Sequence, residues 1–109
     1  MPSAAAPVIL IPGTFGRSAT WWQPGSPFCR EAERHGIRFA DVADPFWWTT
    51  RLDGVIGEHE EWIAAGAALV WYAHAKSPGE PVSIIAHSHG GQCVAYALAQ
   101  GLWVDRLVT

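Results

Sequence analysis

The sequence predicts an α/β domain with a mostly parallel sheet of about four strands and helices on both faces. Three observations predict it. Val8-Ile9-Leu10-Ile11 is an unbroken β-branched and aliphatic run that stops at Pro12-Gly13, the pattern of a strand buried on both faces of a parallel sheet. Strand-like and helix-like segments then alternate along the chain as β-α-β-α-β-α-β, and right-handed crossovers turn that order into a parallel sheet. Finally, Ile84-Ile85-Ala86 runs directly into His87-Ser88-His89-Gly90-Gly91, which reads as a strand turning sharply into a helix.

Each element has a local cause. After the first strand, Ser26 offers an N-cap and Pro27 the first helical residue. The short helix runs to about His35, with Phe28 and Ala32 on its inner face, and Gly36 closes it. Ile37 to Val42 reads as a second strand, ended by Asp44-Pro45. Thr50-Arg51-Leu52-Asp53 resembles a capping box. Beyond it, Val55, Ile56, His59, Trp62, Ile63, Gly66, Leu69, Val70 and Ala73 recur at helical spacing, with Glu58, Glu60 and Glu61 outside the stripe. Trp62 and Trp71 fall on or near that stripe and are expected in the core. The glycines in this stretch weaken a continuous helix. Ser77-Pro78-Gly79-Glu80-Pro81 is a turn, Val82 to Ala86 the third strand, Gln92 to Gln100 a helix stopped by Gly101, and Val104 to Val108 a fourth strand.

Composition removes several function classes. Half of the 109 residues are hydrophobic, enough for one domain with a real core. A net charge of -3 with no basic run argues against nucleic acid as a partner. Cys29 and Cys93 have no metal-type spacing and suggest no disulfide framework, so they read as reduced thiols. The N-terminus lacks the cationic region of a signal peptide, which makes the cytoplasm the default location. The longest low-charge run, Trp62 to Ala75, is too short and too rich in Ala and Gly to span a bilayer. Gly13 to Gly16 lacks the Gly-Lys of a phosphate loop, and no G-x-G-x-x-G opens a helix, so no nucleotide cofactor is expected. No metal site is expected either: His87 and His89 have no Cys, Asp or Glu nearby to complete a ligand set.

The segment around Ser88 carries the chemistry. It fits the nucleophile-elbow pattern G-x-S-x-G, with Ala86 at the first small position. On such a turn the residues two before and two after the Ser approach each other, which demands small side chains. A further glycine lets the new helix pack against the neighbouring strand.

Together with Ile9-Leu10-Ile11-Pro12-Gly13-Thr14-Phe15-Gly16, which is similar to the oxyanion loop of lipases with Pro12 in place of its His, this segment resembles the α/β-hydrolase superfamily, of the lipase and esterase type. Val104-Asp105-Arg106-Leu107-Val108-Thr109 resembles the strand after the nucleophile helix. The resemblance implies a partial α/β-hydrolase fold: residues 1–109 would be the N-terminal part of one such domain. The first and third strands would lie side by side, with the second strand outside the first and the fourth outside the third. It implies a serine hydrolase of carboxylic esters, acting on a small-molecule ester or a lipid. Ser88 would be the nucleophile, and the backbone N–H groups of His89 and Thr14 would hold the oxyanion, with Phe15 the alternative to Thr14. Trp21, Trp22, Trp47 and Trp48 follow strand ends on the same side as Ser88. They either form an exposed apolar rim for substrate or pack beneath loops. His87 would pack behind the turn and His89 line the pocket.

In this family the acid and the His follow the Ser, so both are expected beyond Thr109 and the chain reads as truncated. Asp44 reads as a turn residue rather than the acid, and Asp105 as preceding a strand on the wrong side of the sheet. The alternative is a non-catalytic binding module that needs a partner chain. On either reading, self-association through the uncovered sheet edge after Val104 is expected.

Overall fold

Three strands build the sheet: the apolar β1 (Val8–Ile11) and β2 (Val82–Ala86), and β3 (Val104–Val108), which carries Asp105 and Arg106. They lie in the order β1-β2-β3 and are all parallel. The computed structural model describes residues 6–13, 21–23, 25–40, 46–48 and 58–109. Within these, the helices are α1 (Pro27–Arg34), α2 (His59–Lys76) and α3 (Gly90–Ala99). The result is a small α/β domain.

Alternation along the strands sorts the core into two layers. Ile9, Ile11, Val82, Ile84 and Ala86 face α2 and α3, where they meet Trp62, Leu69, Cys93 and Val94. Leu10 faces the other way, onto Trp22 and Cys29 of the α1 side, with Val8 and Ile85 packed around them. Successive strand residues point to opposite faces, so one four-residue strand supplies both layers.

Of the strand predicted over Ile37 to Val42, the described part, up to Ala40, holds one parallel bridge, Val8↔Phe39, on the outer side of β1. Among the described residues the sheet therefore has three strands, not the four expected. Helix capping accounts for the start of this segment. Gly36 takes φ +82, its N–H donates to the Glu33 carbonyl, and the Ile37 N–H donates to the Ala32 carbonyl. These two bonds form the Schellman closure of α1, so Ile37 belongs to the helix end. Pairing starts only where Val8 N–H donates to Arg38 O (2.8 Å) and Ala40 N–H to Val8 O (2.9 Å). Val42, Asp44 and Pro45 lie outside the described residues, as do Val55, Ile56 and the capping box Thr50 to Asp53.

Ser26 caps α1: its Oγ accepts from Cys29 N–H (3.2 Å) and donates to Trp21 O (2.7 Å). The buried face of α1 is Cys29 and Ala32. Phe28, expected there, is exposed and meets the Trp21 ring edge-on instead. On α2, the buried positions are Trp62, Ala65, Gly66, Leu69 and Ala73. Trp71, expected in the core, is 76% exposed. It lies two residues past Leu69, about 200° around the helix, and so on the opposite face.

Gly66 marks where α2 and α3 touch. A methyl group there would lie 2.8 Å from Ala97 N and from the Tyr96 carbonyl carbon. These are backbone atoms that cannot rotate away. Alanine is favoured over glycine by about 1 kcal/mol within a helix, yet Gly66→Ala is expected to destabilise by ~1–3 kcal/mol through overpacking. A lower urea midpoint at unchanged slope checks this; a higher midpoint would show that the helices separate freely.

Cys93 lies beneath the same contact, fully buried, with Sγ 3.6 Å from the Ala65 carbonyl oxygen. Both cysteines are free and buried. Burial pushes the Cys93 thiol up from 9.0 to about 12. The neutral thiol thus favours the fold fully below pH 9.0, and that contribution is lost as pH rises from 9.0 toward about 12. The slope is at most ~1.4 kcal/mol per pH unit. Unfolding midpoints of the wild type are expected to fall faster between pH 8 and 10.5 than those of Cys93→Ala. Equal slopes would mean that the thiol ionises in place.

Candidate functional site

β2 ends at Ala86 and α3 begins at Gly90, leaving three residues to reverse the chain. Three hydrogen bonds close the reversal: Gly90 N–H to His87 O (2.9 Å), Gly91 N–H to Ser88 O (2.9 Å) and Gln92 N–H to His89 O (3.0 Å). The geometry forces Ser88 to φ +53, the one positive φ at a non-glycine residue among the described residues. For an L-residue this costs ~1–2 kcal/mol, and such strain concentrates at functional sites. Ser88 is exposed, at the C-terminal end of the middle strand and one residue before the α3 N-cap, His89. The peptide dipoles of α3 therefore favour negative charge beside it.

The end of β1 is locked against this turn. Ile11 pairs with Ala86, and His87 N–H donates to Ile11 O (3.0 Å). A methyl group at Gly13 would lie 2.9 Å from His87 O and 2.9 Å from Ser88 Cβ. One at Gly90 would lie 2.7 Å from the carbonyl oxygens of both Ile11 and Pro12. The requirement for glycine at position 90 thus comes from the β1 backbone, and Gly90 performs the helix-to-strand packing assigned to a further glycine. Gly91 makes no comparable approach: a methyl group there would meet only Thr109 Cγ2, at 3.9 Å.

Sequence reasoning missed the anchor of the β1 loop. Trp48 Nε1–H donates to the Pro12 carbonyl oxygen at 2.6 Å, and Trp48 is fully buried. Its ring stacks on Trp47 (5.0 Å between centroids, 14° between planes) and tilts against Trp62 (5.1 Å). Trp47 in turn stacks on Trp22 at 6.4 Å. Trp22 and Trp48 therefore belong to the core rather than to an exposed rim, while Trp21 and Trp47 are half-buried. The sequence signal was there in a Trp whose N–H must find a partner once buried.

The histidines are dispersed. The His87 ring stands edge-on to Trp21 (6.2 Å) and the His89 ring lies 6.2 Å from Trp62; both residues are exposed. His59 Nδ1 lies 2.8 Å from Tyr96 Oη, a pairing the sequence did not suggest. His35 Nε2 lies 3.3 Å from Glu31, and His74 is on the exposed side of α2. Asp105, expected before the last strand, lies within β3 and is exposed. Thr14, Phe15 and Asp44 lie outside the described residues. Among the described residues, no three His, Cys, Asp or Glu side chains gather as a metal site, and no helix is long and apolar enough to cross a membrane.

The arrangement presents a strained hydroxyl on a strand-to-helix turn, braced by Gly13 and backed by stacked indoles. Compared with known proteins, the chain matches no family model, no curated protein and no solved structure.

Proposed function

We propose that Ser88 is the nucleophile of a serine hydrolase of the α/β-hydrolase type, acting on carboxylic esters. The observation that carries this reading is the left-handed backbone of Ser88, φ +53, at a strand-to-helix turn pressed against Gly13. Nothing about a solvent-exposed Ser requires that strain for stability, whereas presenting a hydroxyl above a sheet does.

In the proposed reaction, Ser88 Oγ attacks the ester carbonyl carbon while its proton passes to a general base. The carbonyl oxygen becomes an oxyanion, held by the His89 N–H and by the N–H of Thr14 or Phe15. The alkoxide leaves with the proton, and water then hydrolyses the acyl-enzyme. The half-buried Trp21 and Trp47 would offer an apolar wall to the acyl group or an aromatic alcohol. Because His35 and His59 face Glu31 and Tyr96 and His74 lies on the exposed side of α2, we assign the base to a group outside residues 1–109.

A fluorophosphonate probe, applied to the protein that includes the group serving as base, tests the nucleophile. Intact and peptide mass spectrometry should find one adduct, on Ser88, and none on Ser88→Ala. An adduct on any other Ser, with Ser88 unmodified, would remove the proposal.

A further inference from the structure

We propose that the outer face of α2 is a self-association surface, on which a second copy of this chain packs its own α2 in antiparallel orientation. This proposal stands independently of any chemistry at Ser88. A helix that is apolar on every side is normally covered on every side, and α2 is such a helix between Trp62 and Ala73. Opposite its buried face, Trp71 is 76% and Ile63 40% exposed, with Ala64, Ala67, Ala68 and Ala75 exposed around them. Beside this face runs an open groove of about 420 Å³ lined by Ala67, Val70, Trp71, His74, Ala75 and Gln100.

Charge selects the occupant and its direction. Glu60, Ala64, Ala67, Trp71 and His74 recur every three or four residues and form one exposed stripe. The first turn of α2 is acidic (Glu60, Glu61) and the last is basic (His74, Lys76). An antiparallel copy centred on Ala67 sets Glu60 against His74 of the other copy at both ends. It also lays each Trp71 over the other copy's Ile63 and Ala64. Parallel pairing would instead set Glu60 against Glu60. The antiparallel contact is two-fold and closes as a dimer. A membrane surface fits less well, because anionic headgroups repel the Glu60 end.

Sedimentation equilibrium of the 109-residue chain, with far-UV CD on each variant, tests this. The wild type is expected to dimerise. Trp71→Ala removes only an exposed side chain, so it should stay folded and weaken the dimer ~30-fold or more, as a central aromatic anchor does. Glu60→Lys and His74→Glu should each weaken it several-fold, and the double variant should recover most of the loss, since the swapped charges pair again. Three results would overturn the proposal: a wild type monomeric at its highest soluble concentration; a dimer that ignores Trp71→Ala but is lost in Leu107→Lys, which would place the contact on the β3 edge; or a monomer that co-floats with phosphatidylcholine vesicles.

Discussion

Trp48→Ala is expected to lower the stability of the domain by ~3–5 kcal/mol, the largest loss of any single truncation in its core. Three effects add. The side chain is fully buried, so its removal leaves a cavity and deprives Trp47 and Trp62 of the ring on which each packs. The Pro12 carbonyl loses its 2.6 Å donor, and an unsatisfied buried acceptor costs ~1–3 kcal/mol. A domain of this size has only ~5–15 kcal/mol in all, so a large unfolded fraction should be visible before denaturant is added. Trp48→Phe separates the terms. It keeps most of the ring and loses the hydrogen bond, so ~1–3 kcal/mol is expected. Urea titrations of both variants decide the matter. A Phe variant as stable as wild type would show that the Pro12 bond contributes nothing.

The phenylalanine variant has a second consequence. Pro12 immediately precedes Gly13, whose backbone braces the His87 carbonyl and Ser88. Freeing the Pro12 carbonyl should loosen that brace, so Trp48→Phe is expected to slow fluorophosphonate labelling of Ser88 under conditions where the protein remains folded. The core tryptophan therefore acts as a positioning residue for the turn.

How much of this was legible in the sequence depends on the range of the forces involved. β1 ends where its apolar run meets Pro12-Gly13, and β2 lies between Pro81 and the turn at His87, because strand limits are set by local breakers. The special backbone at Ser88 was legible for the same reason: small flanking residues announce a crowded turn. What was hidden depends on approach between distant segments. Gly66 argues against a helix when read locally, yet it is the point at which α2 can touch α3. Paired indoles carry no periodicity, so the choice between rim and core stayed open until Trp22 and Trp48 proved buried and Trp21 and Trp47 half-exposed. Ile37 reads as strand by composition, but a Schellman closure used its N–H first.

At Ser88 itself, two substitutions with the same chemical deficit should have different thermodynamic outcomes. Ser88→Ala and Ser88→Gly both remove the hydroxyl, so both should abolish probe labelling. In the enzyme that supplies the base, both should lower kcat/KM for a p-nitrophenyl ester by at least ~10³-fold, the scale of losing a nucleophile. Their stabilities should diverge. Alanine keeps the Cβ that makes φ +53 unfavourable and should leave the urea midpoint near that of wild type. Glycine relieves ~1–2 kcal/mol of left-handed strain and returns ~0.5–1 kcal/mol through the greater freedom of the unfolded chain, a net gain of ~0.5–1 kcal/mol. A site that holds strain in order to present a hydroxyl must behave this way: chemistry lost twice, stability gained once. If Ser88→Gly is no more stable than Ser88→Ala, the turn stores nothing, and the main argument for a nucleophile at this position goes with it.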